Sequence, residues 1–338
     1  MGWVSVARVV ILICMKTPDV FFYEAFEEEA AAIAATLPDS IRAGFTTLTI
    51  QEYNKETPPA RIISLRTQSQ IPDDWAEKID ALLSRSTGYD HLAAYRNRHP
   101  AGPACGYLPL YCARGVAEQA MLLWTALSRR LPAQLKQFET FHRDGITGRE
   151  IAGKTLFVAG VGNIGSEIVR IGQGLDMTVF GNDPVQKHAF VDYVELDEKI
   201  SKADIIVCAM NLTAENRGLF DYEKLSKAKP GALFINIARG ELSPASNLLR
   251  LLEEKILGGV GLDVYENESE LAVALRAGTE SENAVLKLNA QANVLCTPHN
   301  AFNTEEAVVR KSEQSVEQID HFLKTGTFLW NVPEDQLS

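Results

Sequence analysis

Short apolar runs alternate along almost the whole chain with longer stretches in which apolar residues recur every three or four positions. That alternation predicts parallel α/β architecture, because each crossover helix must cover a face of the strands it joins. In the first third, strands are expected near Phe21, over Arg61–Leu65 and over Ala81–Ser84, with an acidic, Ala-rich helix over Phe26–Thr36. A Gly- and Pro-rich piece from His99 to Pro109 interrupts the pattern, and Gly115–Arg130 (GVAEQAMLLWTALSRR) reads as a helix apolar on most sides, which predicts burial between domains or subunits. Beyond it, six strands are expected at Thr155–Ala159, Met177–Phe180, Asp204–Ala209, Ala232–Ile237, Gly259–Val264 and Asn293–Thr297, enough for a doubly wound sheet. A last helix, Thr304–Lys324, follows the final strand, so the chain can return to its first domain.

Length supports this division. A chain of 338 residues exceeds what one core usually fills, and a discontinuous domain of residues 1–114 and 303–338, with a second domain of residues 115–302 inserted into it, accommodates the pattern. The composition, 46% hydrophobic and 23% charged, is that of a folded globular chain. A net charge of -11 without a Lys/Arg cluster argues against a nucleic-acid partner, whose phosphates require a basic face. Five cysteines stand apart with no Cys-x-x-Cys pair, which disfavours zinc or any other metal site and fits unpaired thiols in a reducing cytoplasm. The apolar run Val4–Cys14 is too short to span a bilayer, so no membrane association is expected. It reads as an upstream extension, with translation from Met15 losing nothing essential, or else as an extra strand.

The most informative motif is Gly160-Val-Gly162-Asn163-Ile164-Gly165, placed between the strand ending at Ala159 and a helix expected over Ser166–Gly174. In that context the first Gly permits a tight turn, the second lets the backbone approach a pyrophosphate, and the third lets helix and strand pack closely. Phosphate charge then meets the helix N-terminus, where unpaired N–H groups and the macrodipole favour an anion. The next strand ends at Asp183, 18 positions past Gly165 (183 − 165), where a carboxylate can accept hydrogen bonds from ribose hydroxyls and repel a 2′-phosphate. NAD is therefore expected over NADP, with Lys187 nearby as the one contrary charge.

Ligands of open α/β sheets bind beyond the carboxyl ends of the strands. Three such ends carry chemistry: Ala238-Arg239-Gly240, Tyr265-Glu266-Asn267-Glu268 and Pro298-His299-Asn300. Singly, Arg239 could cap a turn, Glu268 could be one of several solvated acids and His299 an interior histidine. Jointly, on three strand ends of a dinucleotide fold, they suit carbonyl reduction, in which an imidazole donates the proton, a carboxylate orients it and a guanidinium holds the substrate carboxylate.

These residues resemble the D-isomer-specific 2-hydroxyacid dehydrogenase family over the span from about Asp19 to the last helix. The family's glycine fingerprint stands as GVGNIG, its Asn-x-x-Arg-Gly as Asn236-Ile-Ala-Arg239-Gly240, its Gly-x-Asp-Val-aromatic-Glu-x-Glu as Gly261-Leu-Asp263-Val-Tyr-Glu-Asn-Glu268, and its Thr-Pro-His as Thr297-Pro-His299. The resemblance implies two Rossmann-like or flavodoxin-like domains with doubly wound parallel sheets, the cofactor domain inserted into a discontinuous substrate domain. It makes Arg239 the substrate binder, His299 the acid/base and Glu268 its partner. Cofactor contacts fall to Gly160, Gly162, Asn163, Ile164, Gly165, Asp183, Ala238 and Asp263, the last beside the nicotinamide carboxamide. Ser84-Arg-Ser-Thr87-Gly88-Tyr-Asp90 is similar to the family's substrate loop, whose backbone N–H groups at Thr87 and Gly88 would grip a carboxylate. Tyr111 and the Asn300-Ala-Phe302 run look like the D-lactate dehydrogenase branch, which points to pyruvate and to Tyr111 and Phe302 as aromatic walls.

The chain departs from the family pattern at Asn211-Leu-Thr213, where Pro-Leu-Thr is common, and at Arg114, where smaller polar residues are common. Thr87 takes the place of the lysine of phosphite dehydrogenases. The resemblance implies a homodimer built through the cofactor domains. The competing readings are a non-catalytic NADH-sensing interaction protein of the same fold, or a dehydrogenase for phosphite or for glyoxylate and hydroxypyruvate.

Overall fold

A computed structural model describes residues 17–278 and 283–333. The run Val4–Cys14, with the extension inferred from it, lies outside the described residues. The chain divides into two compact units, one made of the residues up to Tyr111 together with those from Thr304 onward, the other of Cys112–Asn303.

The first unit is built on a five-stranded parallel sheet of β1 (Val20–Phe22), β2 (Ala43–Phe45), β3 (Ile62–Leu65), β4 (Ala81–Ser84) and β5 (Ala104–Gly106), in the order β2-β1-β3-β4-β5. Residues of β1, β3 and β4 are all buried, as befits strands covered on both faces. Two of the five strands escape the periodicity. β2 and β5 have three residues each and carry glycines where a side chain would collide: a Cβ at Gly44 would lie 2.6 Å from the Phe21 ring, and one at Gly106 would lie 2.5 Å from the Phe328 ring. The piece His99–Pro109, expected as an interruption, thus contains a strand. The long helix Glu305–Thr325 is capped by Thr304, whose hydroxyl accepts from the Ala307 N–H, and stops at Gly326 with φ +79°.

The second unit holds seven parallel strands: β6 (Thr155–Ala159), β7 (Thr178–Asn182), β8 (Asp192–Tyr193), β9 (Ile205–Cys208), β10 (Ala232–Asn236), β11 (Leu257–Leu262) and β12 (Val294–Cys296). Their order is β12-β11-β10-β9-β6-β7-β8, so the winding reverses between β6 and β9. Six strands were expected; the seventh, β8, is a two-residue edge strand with no hydrophobic signature of its own. The helix Ala113–Ser128 buries Val116, Ala117, Ala120, Leu123, Trp124 and Leu127, a stripe at helical spacing. A core of Phe157, Phe220, Phe234, Leu248, Leu251 and Val260 lies on one face of the sheet. The acidic segment from Glu268 to Gln291 contains the helices Glu268–Ala277 and Ala284–Asn289. Among the described residues, no helix is long and apolar enough to cross a membrane and no cluster of His, Cys, Asp and Glu is placed to hold a metal.

Candidate active site

The glycine loop leaves β6 at the reversal of winding, the place where open α/β sheets bind ligands. Gly160 has φ +90°, and a Cβ there would sit 2.6 Å from the Met210 backbone, so the tight turn after β6 needs glycine on both counts. A Cβ at Gly165 would lie 1.9 Å from the Gly160 carbonyl oxygen, which fixes the close approach of helix to loop. Gly162 differs from both. A Cβ there meets nothing within 4 Å, so the side on which its backbone is bare opens outward. The helix begins at Asn163, three residues earlier than expected, and Gly162 is its N-cap. Its first N–H groups therefore belong to the motif itself, and a bare backbone beside a helix N-terminus fits a pyrophosphate. Asp183, one residue past β7, accepts from Val161 N at 2.8 Å through Oδ2 and from Val185 N at 2.8 Å through Oδ1. A carboxylate has about four lone-pair sites, so each oxygen keeps capacity for a ribose hydroxyl.

The strands β10, β11 and β12 are neighbours and parallel, so the segments that follow them emerge side by side. Arg239 follows β10 on a turn held by Asn236, which is fully buried and ties three groups: Nδ2 donates to Arg239 O and Ser243 Oγ, both at 2.8 Å, and Oδ1 accepts from Ala238 N at 2.9 Å. Gly240 lets this turn lie against the segment after β11, since a Cβ there would fall 1.9 Å from Tyr265 C. Arg239 itself is half-buried and donates from Nη1 to Ala238 O. Glu268 opens the helix Glu268–Ala277, and its Oε1 lies 2.7 Å from His299 Nδ1, with each side chain about one-fifth exposed. That pairing fixes the ring orientation and assigns the Nδ1 proton to the carboxylate, leaving Nε2 as the nitrogen presented to a reactant.

His299 is held in an uncommon backbone state. Its φ is +50°, in the left-handed region that non-glycine residues rarely adopt. Asp263, one residue past β11 and 1% exposed, explains how. Its Oδ1 accepts from Thr297 Oγ1 at 2.5 Å and Asn300 N at 2.9 Å, and its Oδ2 from Ala301 N at 2.9 Å, which brackets His299 on both sides. Burial pushes the Asp263 carboxyl above its ordinary value, against the pull of these donors. Tyr265 adds a second tie, donating to Thr297 O at 2.7 Å. The Phe302 ring stands edge-on to the imidazole with centroids 6.3 Å apart.

Residues 120–301 match the family model described as D-isomer specific 2-hydroxyacid dehydrogenase, NAD binding domain. The chain belongs to that family. It is 30% identical to a D-lactate dehydrogenase of Curvularia clavata over 74% of this chain and 73% of that protein, and 32% identical to a D-lactate dehydrogenase of Escherichia coli over 65% and 69%. Among solved structures it is similar to a D-lactate dehydrogenase of Aquifex aeolicus complexed with NAD and lactic acid, with a TM-score of 0.81 and 25% identity, covering 92% of this chain and 98% of that one. The chain is thus an NAD-dependent oxidoreductase acting on the CH–OH group of 2-hydroxy acids, and its glycine loop and Asp183 are the features of the second unit that suit the dinucleotide.

The other site residues expected from the dehydrogenase resemblance are spread over both units. Thr87 and Gly88 lie in the first unit, half-buried in the loop after β4, and Tyr111 is buried at the end of that unit; Phe302 is buried in the second. Ile164 and Asn163 form the first turn of the helix after the glycine loop, and Ala238 is buried beside Arg239. Of the departures, Arg114 is an exposed helix residue paired with Glu118 and Glu167, and the turn at Asn211-Leu-Thr213 is closed by Asn216, which donates to Asn211 O and accepts from Thr213 N, each at 2.7 Å. Sequence reasoning did not single out Asn236 and Thr297 as supports; their place in the Asn-x-x-Arg-Gly and Thr-Pro-His motifs was the available signal.

Proposed function

We propose that this dehydrogenase interconverts pyruvate and D-lactate with NADH and NAD. The observation that carries the reading is the His299–Glu268 pair at 2.7 Å, on a loop that Asp263 grips from both sides. Bound NADH supplies the hydride for C2 of the keto acid. His299 Nε2 gives its proton to the developing alkoxide and takes it back in the oxidative direction, while Glu268 keeps the ring in one tautomer. Arg239 binds the substrate carboxylate with its planar donor fork and polarises the carbonyl. In the first unit, the backbone N–H groups of Thr87 and Gly88 serve as carboxylate donors. Tyr111 and Phe302 supply aromatic surface suited to a methyl-sized side chain.

Two further assignments accompany this reading. Leu135, Phe138 and Phe141 are each about two-thirds exposed or more, close in sequence to the helix Ala113–Ser128 with its exposed Leu122, which favours a homodimer through the second unit. Thiols at Cys105, Cys208 and Cys296 that form no disulfide among the described residues favour a reducing cytoplasm. The test of the activity is NADH oxidation with a panel of pyruvate, glyoxylate, hydroxypyruvate, phenylpyruvate and longer 2-keto acids, repeated with NADPH, and NAD reduction with phosphite. Pyruvate should give the highest kcat/KM, with NADH preferred. Tight NADH binding without turnover of any keto acid would refute the reading.

A further inference from the structure

The first unit contains a buried ionic cluster for which the chemistry described so far has no use. Arg85 stands one residue past β4, immediately before Ser86-Thr87-Gly88, and is fully buried. Its guanidinium donates from Nε to Glu29 Oε1 at 2.8 Å, from Nη1 to Ser64 Oγ at 3.0 Å and from Nη2 to Tyr23 O at 2.6 Å. It therefore ties the helix Glu27–Thr36, β3 and the end of β1 to the start of the Thr87 loop. Lys311, from the helix Glu305–Thr325, reaches the same Glu29 oxygen at 3.0 Å, and the side chains of Glu29, Arg85 and Lys311 are each no more than 1% exposed.

Several cations converge on the one Glu29 carboxylate. Glu29 and Arg85 already neutralise one another, so Lys311 is a second cation on one carboxylate, and Arg66 adds further positive charge nearby. Burial would raise the Glu29 carboxyl, but the charges of Arg85, Lys311 and Arg66 outweigh it and hold the group at about 2. Burial likewise pushes the Lys311 ammonium down to about 8, with Glu29 opposing. Buried ions cost several kcal/mol each to desolvate, and an apolar residue in place of Lys311 would avoid that cost, so stability alone does not account for it. Position does. Lys311 Nζ lies 5.8 Å from the centroid of the Tyr111 ring, and the adjacent Arg310 donates from Nε to Tyr111 O at 2.8 Å. Two successive cations of one helix thus reach Tyr111, and the second also reaches the carboxylate that anchors Arg85.

We propose that Lys311 is a positioning residue for substrate binding: through Glu29 and Arg85 it holds the Thr87–Gly88 loop, and through its own cation it holds Tyr111, in one fixed register. This rests on the reading of that loop as a carboxylate binder. Lys311 acts on the substrate through these neighbours, so its loss weakens substrate binding and leaves cofactor binding in the other unit alone.

The experiment compares wild type with Lys311→Met, Lys311→Arg and Thr87→Pro, the last removing a loop N–H. The readouts are pyruvate KM and kcat at saturating NADH, NADH Kd by fluorescence, and melting temperature. Lys311→Met should raise pyruvate KM roughly tenfold, as displacement of a binding group by a fraction of an ångström does, with NADH Kd unchanged, and Lys311→Arg should restore most of the loss. Should Lys311→Met fail to fold, Lys311→Gln, which removes the cation while leaving the Glu29–Arg85 pair in place, carries the same expectation. Lowered melting temperature with an unchanged KM would mark a purely structural cluster and overturn the proposal. If Thr87→Pro raises KM and Lys311→Met does not, the positioning role fails while the loop assignment stands; if neither moves KM, the loop assignment fails and the proposal with it.

Discussion

Replacing Asp263 with Asn asks whether the loop, rather than its own packing, holds His299 in place. Both carboxylate oxygens are engaged, by Thr297 Oγ1 and Asn300 N on one side and Ala301 N on the other. An amide in the same pose keeps one acceptor and turns an NH2 group toward a donor, so at least one buried donor loses its partner, at about 1–3 kcal/mol. The strain it would release is of the same size. A non-glycine residue in the left-handed region stores about 1–3 kcal/mol unless its surroundings hold it there, and His299 has φ +50°. Loss of one bond is therefore enough to let the ring leave its productive pose, and the population of that pose falls roughly 5- to 150-fold.

The fold should survive this change. Asp263 sits above its ordinary pKa because burial penalises its charge, so a neutral amide relieves part of that penalty. The assay is steady-state and single-turnover pyruvate reduction, with NADH affinity measured separately. Asp263→Asn should lower kcat about ten- to a hundredfold and leave NADH Kd within about twofold, the pattern of a defect in the reacting group's placement. Normal turnover accompanied by a tenfold or greater loss of NADH affinity would refute the reasoning and put the function of Asp263 at the nicotinamide.

His299→Gln should cut kcat roughly a hundredfold or more while sparing NADH affinity, since a glutamine cannot exchange the proton; an unchanged rate in a pre-steady-state trace would remove His299 from the chemistry. Gly162→Ala should leave the melting temperature unchanged and weaken NADH binding, because its Cβ meets only open space, whereas Gly165→Ala should lower both, because its Cβ would fall 1.9 Å from a carbonyl oxygen; calorimetry and NADH fluorescence separate the two. Glu29, at about 2 in the folded chain against an ordinary 4.5, contributes stability that is full above 4.5 and lost as pH falls toward 2. Denaturant unfolding of wild type should therefore weaken by about 1 kcal/mol more than that of Glu29→Gln between about pH 5.5 and about pH 3.5, and equal slopes would contradict this.

The parts of the molecule that could be read from the chain are those in which a residue's chemistry and its element length agree. β6, β10 and β11 are largely buried runs, and within three residues of their ends and of the end of β12 stand Gly160, Arg239, Asp263 and His299, so the ends that carry chemistry announce themselves. β2, β5 and β8 have only two or three residues, and the glycines of β2 and β5 make room for a ring from elsewhere in the chain; no local window contains that ring. Supports such as Asn236 and Thr297 were hidden differently, because a polar residue at a strand end looks the same whether it faces water or the backbone of the next turn.

The buried ions show where such hidden information can still be found. Glu29 is one of three consecutive glutamates, and by composition alone it is a solvated acid like Glu27 and Glu28. Spacing separates it from them: Glu29 stands four positions before Ile33, on the face that is buried, while its neighbours are rotated toward solvent. Lys311 obeys the same rule, four positions after Ala307 and four before Ser315, both buried small residues. A charged side chain on the inward face of a helix is costly to desolvate, so opposite charges on two such faces are expected to meet. Opposite signs on two such faces therefore predict both the packing of the helices and a polar device between them, and Arg85, next to the loop that serves the substrate, is what gives that device something to hold.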